Sequence, residues 1–259
     1  PILDHDGNVL FGGEDGGLYK VNATGLVWVL ELRDSVGQAS PTLTEDGKLV
    51  IGGDDGALYY VDAAQNSCDS SSCLLFSSAI FSGAVRSTPL VDMDQVMYMG
   101  GRDGLFHAID MTTGDFVWTF ESFTGGDFDG SPTIDKHGLT VYVADMDGTL
   151  YAIATKDQAG YRAGDLKSYV HVGEDGEPID STPAVDVDGN VFIGSHDGYV
   201  YCFSSELEQL WEFETDDEID YSSVAIGARG AIYIGSMDSH MYAFGPDDST
   251  LPCNSTAEF

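Results

Sequence analysis

Two short turns carry oxygen-bearing side chains at the alternating spacing that calcium loops use. The stretches DHDGN and DVDGN supply these oxygens from six residues: Asp4, Asp6, Asn8, Asp186, Asp188 and Asn190. Calcium takes carboxylate and amide oxygens as ligands, but neither turn has the glutamate that closes an EF-hand. The turns are therefore candidate weak calcium sites. The alternative is a pair of hairpin turns in which Asp and Asn bond their own backbone.

A second polar set precedes a recurring Ser/Thr-Pro element, which reads ASPTL, RSTPLV, GSPTI, STPAV and YSSVAI. With its close neighbours, the set consists of Gln38, Arg86, Asp127, Asp129, Asp180, Asp220 and Tyr221. One arginine facing three carboxylates predicts a paired network that binds a polar ligand or a cation. The alternative is a solvated rim, in which Arg86 only relieves the repulsion between acids.

The cysteines indicate a disulfide rather than a metal centre. Cys68 and Cys73 lie in NSCDSSSCLL and predict a small local disulfide loop, because zinc would need two further ligands nearby. Cys202 and Cys253 are a second candidate pair if the C-terminal tail crosses back over the fifth repeat. The six histidines are scattered, and none forms a short-spaced ligand pair. No GxSxG, HExxH or phosphate-loop motif occurs.

The elements that must position these residues form a sixfold repeat. An apolar run, an Asp-Gly turn and a second apolar run recur with turn residues at Asp15, Asp55, Asp103, Asp147, Asp197 and Asp238. Each unit holds four short alternating runs, which predict strands, and Asp-Gly is typical of tight hairpins. We predict an all-β fold, a β-propeller of six four-stranded antiparallel blades. One domain spans 1–259, with repeats at about 1–36, 37–84, 85–127, 128–178, 179–218 and 219–259.

The stretch AIDMTTGDFVW, which ends in Trp118, resembles the tryptophan-docking repeat of the pyrroloquinoline-quinone (PQQ) β-propeller family. Repeats one and five match in part and end in Trp28 and Trp211, whereas the motif is lost in repeats two, four and six. The resemblance implies that these three tryptophans are structural and pack between adjacent blades. A large flat indole suits such an interface.

The resemblance also raises the question of quinone catalysis. Quinoprotein dehydrogenases of this family use two adjacent cysteines, a calcium ion and an aspartate base, usually in a larger ring. No two cysteines are adjacent here, and all three tryptophans occupy the docking position. No cofactor is therefore expected, PQQ included, and calcium at the two turns described above is the one candidate. The same repeat also builds non-catalytic scaffolds, so the fold leaves the function open.

The two ends of the sequence look complementary. Pro1 aligns with the prolines of the later repeats, and repeat six lacks a tryptophan-bearing fourth strand. We expect residues upstream of Pro1 to supply that strand, which would place blade six beside blade one. The alternative is that the chain is part of a seven- or eight-bladed ring.

The charge limits the partners. A net charge of −34 repels nucleic acids and anionic membranes, and no apolar run is long enough for a transmembrane segment. Asn22 and Asn254 match the glycosylation acceptor pattern, and the predicted disulfide favours an extracytoplasmic location: secreted, periplasmic or organelle lumen. We predict a non-catalytic module that binds a protein or carbohydrate partner. The alternative is a PQQ- and calcium-dependent dehydrogenase or a fragment of one.

Overall fold

The structure is a computed structural model that describes residues 1–44, 46–69, 71–173, 176–228 and 230–245. These residues form 23 β-strands in six antiparallel sheets, and they contain no helix that could cross a membrane. The prediction of an all-β fold with six β-propeller blades is confirmed. The chain divides into two compact units, Pro1–Glu121 and Ser122–Phe259, with three blades in each.

The first unit contains three four-stranded sheets, each in simple up-and-down order. The strands of blade one are β1 (Ile2–Leu3), β2 (Val9–Gly12), β3 (Gly17–Asn22) and β4 (Gly25–Glu31). Those of blade two are β5 (Thr42–Leu43), β6 (Lys48–Gly52), β7 (Ala57–Asp62) and β8 (Leu74–Ala79). Those of blade three are β9 (Leu90–Val91), β10 (Val96–Gly100), β11 (Leu105–Asp110) and β12 (Phe116–Glu121).

The second unit repeats this order, and its last sheet has three strands within the described residues. The strands of blade four are β13 (Thr133–Ile134), β14 (Thr140–Ala144), β15 (Thr149–Ala154) and β16 (Leu166–His171). Those of blade five are β17 (Ala184–Val185), β18 (Val191–Gly194), β19 (Tyr199–Phe203) and β20 (Gln209–Glu214). Those of blade six are β21 (Ala225–Ile226), β22 (Ile232–Gly235) and β23 (Met241–Phe244).

The Asp-Gly turns explain why the central hairpins form. In blade two, Gly56 has φ +75°, a left-handed conformation that glycine adopts without strain. The Asp55 carboxylate accepts one hydrogen bond from the Ala57 amide at 3.0 Å and another from the Tyr59 hydroxyl at 2.6 Å. Burial, together with this second bond, raises the pKa of Tyr59 to about 12. The same pairing of turn carboxylate and tyrosine recurs in blades one, five and six, as Asp15–Tyr19, Asp197–Tyr201 and Asp238–Tyr242.

Blade three has a histidine at the tyrosine position. His107 Nδ1 lies 2.8 Å from the Thr119 hydroxyl, and the ring is buried between Phe81 and Phe116, with centroids 4.8 Å away on each side. Its Nε2 is buried and has no hydrogen-bond partner. Burial lowers the pKa of His107, and the opposing effect of the Asp103 carboxylate is smaller.

His107 should make blade three sensitive to mild acid. The unfolded chain takes up a proton here below pH of about 6.5, whereas the folded protein resists that proton. The stability that depends on neutral His107 is therefore lost as the pH falls below about 6.5. His107→Tyr restores the tyrosine of the other blades and should remove this loss. Urea unfolding of both proteins between pH 8 and 5 measures the loss. If the free energies of unfolding of the two proteins depend on pH in parallel, this prediction is contradicted.

The cysteine and glycosylation predictions have separate outcomes. Cys68 and Cys73 form the predicted disulfide, which closes the connection between β7 and β8. Cys202 is buried in β19, but its suggested partner Cys253 lies outside the described residues, as does Asn254. Asn22 is exposed at the end of β3, so its side chain is accessible, and its glycosylation stays a prediction.

Candidate functional site

The first calcium candidate is a turn held together by its own side chain. The Asp4 carboxylate accepts hydrogen bonds from the Asp6 amide at 3.0 Å, the Asn8 amide at 2.8 Å and Asn8 Nδ2 at 2.7 Å. Lys20 Nζ lies 2.9 Å from the same group. Burial alone would raise the pKa of Asp4, but these bonds outweigh it and lower the pKa to about 2. The same backbone and side-chain bonds recur among Asp186, Asp188 and Asn190. Calcium binding at either turn stays a prediction.

In the first unit, the structure pairs Arg86 with a residue that we did not select from the sequence. Arg86 Nε lies 3.1 Å from the Asp54 carboxylate, and each side chain is about one quarter exposed. Asp54 belongs to the β6–β7 turn of blade two, whereas Arg86 lies in the segment that leads into blade three. Gln38, in the lead-in segment of blade two, is exposed.

In the second unit, three of the selected residues come together around a histidine. His196 Nε2 lies 3.3 Å from Asp180 Oδ2 and 3.3 Å from Asp220 Oδ1. The Tyr221 amide donates a hydrogen bond to Asp180 Oδ1 at 3.1 Å. We call Asp180, His196, Asp220 and Tyr221 the His196 cluster. The other two selected residues of this unit, Asp127 and Asp129, are half-buried at the lead-in of blade four.

The backbone explains how these four residues meet. His196 follows β18, and its amide donates to the Pro178 carbonyl at 3.1 Å, which fixes the turn to the lead-in of blade five. The buried Ile219 amide donates to the Ser195 carbonyl at 3.3 Å, which fixes the lead-in of blade six to the same turn. Both lead-in segments therefore converge on the His196 turn.

The lead-in of blade six is one residue longer than that of blade five. Ser181 and Ser222 hold equivalent positions, since each accepts a hydrogen bond from the glycine that ends the second strand of its blade. Two residues separate Ser222 from the buried Ile219, whereas one residue separates Ser181 from Ile179. Tyr221 takes up the extra length with φ +53°, an uncommon conformation for a non-glycine residue. Tyr221 is 74% exposed.

The His196 cluster carries net negative charge in a partly buried setting. The Asp180 side chain is only 3% exposed. Burial, followed by its interaction with Asp220, raises the pKa of Asp180. His196 Nε2 is buried and lies near both carboxylates without meeting hydrogen-bond geometry with either. One donor atom from each of Asp180, His196 and Asp220 lies within 4.8 Å of the other two, so the site could receive a cation or a basic side chain.

Sequence reasoning missed His196 because it looked for ligand pairs close together in the chain. The usable signal was the residue before each turn aspartate, which the repeats align as Glu14, Asp54, Arg102, Met146, His196 and Met237. In blades two and five this residue reaches the lead-in of the following blade, where it meets Arg86 and Asp220 respectively. An alignment of turns against lead-ins would have suggested both pairs.

Known proteins share this architecture. A family model described as outer membrane protein assembly factor BamB matches residues 14–250. BamB from Moraxella catarrhalis is a similar solved structure, with a TM-score of 0.66 and 24% identity over 94% of this chain and 72% of that chain. No curated protein matches the sequence.

Two further solved structures are similar in fold. A chain of the Mitotic Checkpoint Complex has a TM-score of 0.74 and 14% identity, covering 93% of this chain and 72% of that one. The computationally designed Ika8 protein has a TM-score of 0.71 and 16% identity, covering 92% of this chain and 68% of that one. Likenesses at these identities show the fold alone.

Proposed function

Because the chain belongs to the PQQ_2 family, described as outer membrane protein assembly factor BamB, we propose that it is a non-catalytic scaffold that binds a protein partner. The partner contact is the His196 cluster, together with the neighbouring Met237, which is 58% exposed. The Met237 amide bonds the Glu218 carbonyl, which lies two residues before Asp220. An exposed tyrosine and methionine thus flank two carboxylates.

The main support for this proposal is that Asp180 and Asp220 lie together beside the exposed residue Tyr221. A lysine or arginine of a partner can meet the Asp220 carboxylate, which is 25% exposed, by a charge-assisted hydrogen bond and stack on the Tyr221 face. The net charge of −34 favours a basic partner and speeds its approach. We therefore propose that the partner presents a basic side chain to this site.

The proposal does not include quinone chemistry, because the residues present do not fit it. Cys68 and Cys73 are bonded across a loop and are not adjacent in sequence, unlike the cysteine pair that the family's dehydrogenases use. Trp28 and Trp211 are buried in the cores that their blades share with the next blade, so neither offers an indole face to a cofactor. These features do not fit quinone binding by that device.

We also propose an extracytoplasmic location, which the disulfide and the family support. Disulfides persist in oxidising compartments and are rare in the cytosol. The family's description refers to an outer membrane assembly factor. A carbohydrate partner stays a second prediction, and no contact in the described residues favours it over a protein.

The partner proposal predicts a selective loss of binding. Asp220→Asn combined with Tyr221→Ala should reduce partner capture at least tenfold, because both the charge and the ring are removed. The control combines Glu212→Gln with Tyr169→Ala, which makes the same changes at exposed positions of the second unit. Cross-linking in extracts of the source cells, with quantitative mass spectrometry, compares the three proteins. Equal capture by the two variants would contradict the proposal.

A further inference from the structure

The outer strands of the blades differ at one register position. In blades one, three and five that position is a tryptophan, paired across the sheet as Trp28–Lys20, Trp118–Ala108 and Trp211–Cys202. Blade two has Phe76 opposite Tyr60, and blade four has Ser168 opposite Ala152. Among the five four-stranded sheets of the described residues, those of blades two and four therefore lack this indole.

Blade four fills the space in another way. Tyr142 of β14 pairs with Ala152 of β15, so it lies two strands in from Ser168 on the outer strand β16. Its side chain is almost completely buried. Its hydroxyl donates to the Ser205 carbonyl of blade five at 3.1 Å. In blade one, Lys20 Nζ makes the equivalent bond to the Ala63 carbonyl of blade two at 2.8 Å. Tyr142 thus bridges to the next blade where no tryptophan is available.

Blade two has Tyr60 at the Lys20 position, where it is half-buried and lines a neighbouring cavity. Its residue at the Tyr142 position is the smaller Val50, and Phe76 is 50% exposed where Trp28 is 4% exposed. A cavity of about 210 Å³ lies beside Phe76 between blades two and three. Its walls include Val50, Leu58, Met97, Ile109, Met111 and Thr113. We call this cavity the blade-two slot.

The walls of the blade-two slot repeat those around Trp28. Val50 and Leu58 hold the positions of Leu10 and Leu18, and Met97 and Ile109 hold those of Leu49 and Val61, in the core that contains Trp28. Trp28 Nε1 donates to the Gln65 carbonyl at 3.0 Å, and Thr113 is the residue equivalent to Gln65. The blade-two slot thus shares four apolar wall positions with the Trp28 site, and Thr113, at the position of its acceptor residue, also lines the slot.

We propose that the blade-two slot binds a tryptophan side chain presented by an extended, basic segment of a partner protein. An apolar cavity of about 150 Å³ suffices for benzene, so this larger one suits an indole. Asp110 is the acidic residue in its wall, and the strongly acidic chain favours basic flanking residues. β8 is the edge strand of its sheet, so an extended segment can approach alongside it.

A second copy of this chain is not the occupant. Its three tryptophans are 4%, 9% and 7% exposed and are held in their own blades. The occupant is therefore none of these three indoles, and we assign it to a partner protein. This proposal concerns a surface of the first unit and does not depend on the His196 cluster.

The test uses a defined peptide and methyl NMR. The probe is acetyl-Lys-Val-Trp-Val-Lys-amide, added to protein labelled with ¹³C at the methionine methyl groups. We expect saturable shifts of the Met97 and Met111 signals, and binding at least tenfold weaker when leucine replaces the peptide tryptophan. No saturable shift, or equal binding of the two peptides, would overturn the proposal.

Two protein variants sharpen the result. Phe76→Trp supplies the missing indole from within, so it should raise the melting temperature and weaken peptide binding at least tenfold. Leu75→Trp adds an indole at the neighbouring position, which does not line the slot, and should bind the peptide like the original protein. Unchanged peptide binding by Phe76→Trp would refute the assignment. If that variant does not fold, comparing the tryptophan and leucine peptides on the original protein still tests the proposal.

Discussion

Trp28→Ala is expected to lower the free energy of unfolding by about 3–5 kcal/mol, the usual range for a large aromatic removed from a packed core. Trp28 is buried in the core shared by blades one and two, and its Nε1 donates to the Gln65 carbonyl at 3.0 Å. Truncation would leave a cavity between two sheets and an unpaired carbonyl. Urea unfolding followed by circular dichroism measures the loss without relying on tryptophan fluorescence.

The chain contains its own control for this experiment. Phe76 occupies the same register position in blade two but is half exposed. Phe76→Ala should cost about 1 kcal/mol, because it removes only partly buried apolar surface. Trp28→Phe should fall between the two, since it retains most of the apolar bulk but loses the indole N–H. Similar losses for Trp28→Ala and Phe76→Ala would argue against an interface role for the tryptophan position.

The contrast between Trp28 and Phe76 shows which features of the structure could be predicted from the sequence. The spacing of the turn aspartates predicted the sheets, because strands and Asp-Gly hairpins follow local rules. The loss of the tryptophan in repeats two and four was also visible. The consequences of that loss were not visible, because they depend on whether Tyr142 or Val50 lies two strands further in. That choice is a matter of packing between sheets, which no single repeat contains.

The His196 cluster illustrates the same limit. Asp180, Asp220 and Tyr221 were selected because their positions recur before the Ser/Thr-Pro element. His196 lies in a turn of blade five, and it reaches Asp220 only because the lead-in of blade six is bonded to that turn. The Asp4 turn is the converse case. Its alternating oxygens resemble a calcium loop, but nearby N–H groups and Lys20 use that carboxylate.

Lys20 was an available signal that the sequence analysis did not use. Its aligned positions in the next four blades are Tyr60, Ala108, Ala152 and Cys202, which makes a lysine exceptional there. The structure buries it, leaving 1% exposed. Its Nζ lies 2.9 Å from Asp4 Oδ2 and donates to the Ala63 carbonyl at 2.8 Å. The ammonium is therefore neutralised by one carboxylate from blade one and anchored to blade two.

Asp4→Asn should consequently destabilise the protein by about 3–5 kcal/mol, because removing one partner of a buried pair leaves the other charge uncompensated. Asp6→Asn is the matched control: Asp6 lies in the same turn, is exposed and should cost little. Replacing both partners, as in Asp4→Asn with Lys20→Met, should recover part of the loss, because the buried ammonium is then absent. Urea unfolding of the original protein, Asp4→Asn, Lys20→Met and the double replacement completes a double-mutant cycle.

Acid unfolding gives an independent measure of the same pair. The pKa of Asp4 is held at about 2, below the ordinary 3.8, chiefly by the Asn8 and Lys20 bonds that outweigh burial. A depressed carboxyl pKa contributes stability that is fully present above the unfolded value. That contribution is lost as the pH falls from about 3.8 to 2. The stability of Asp4→Asn should thus depend less on pH in this window than that of the original protein. If Asp4→Asn costs no more than Asp6→Asn, or if the double replacement costs the sum of its parts, Lys20 does not depend on Asp4 in the way the structure indicates.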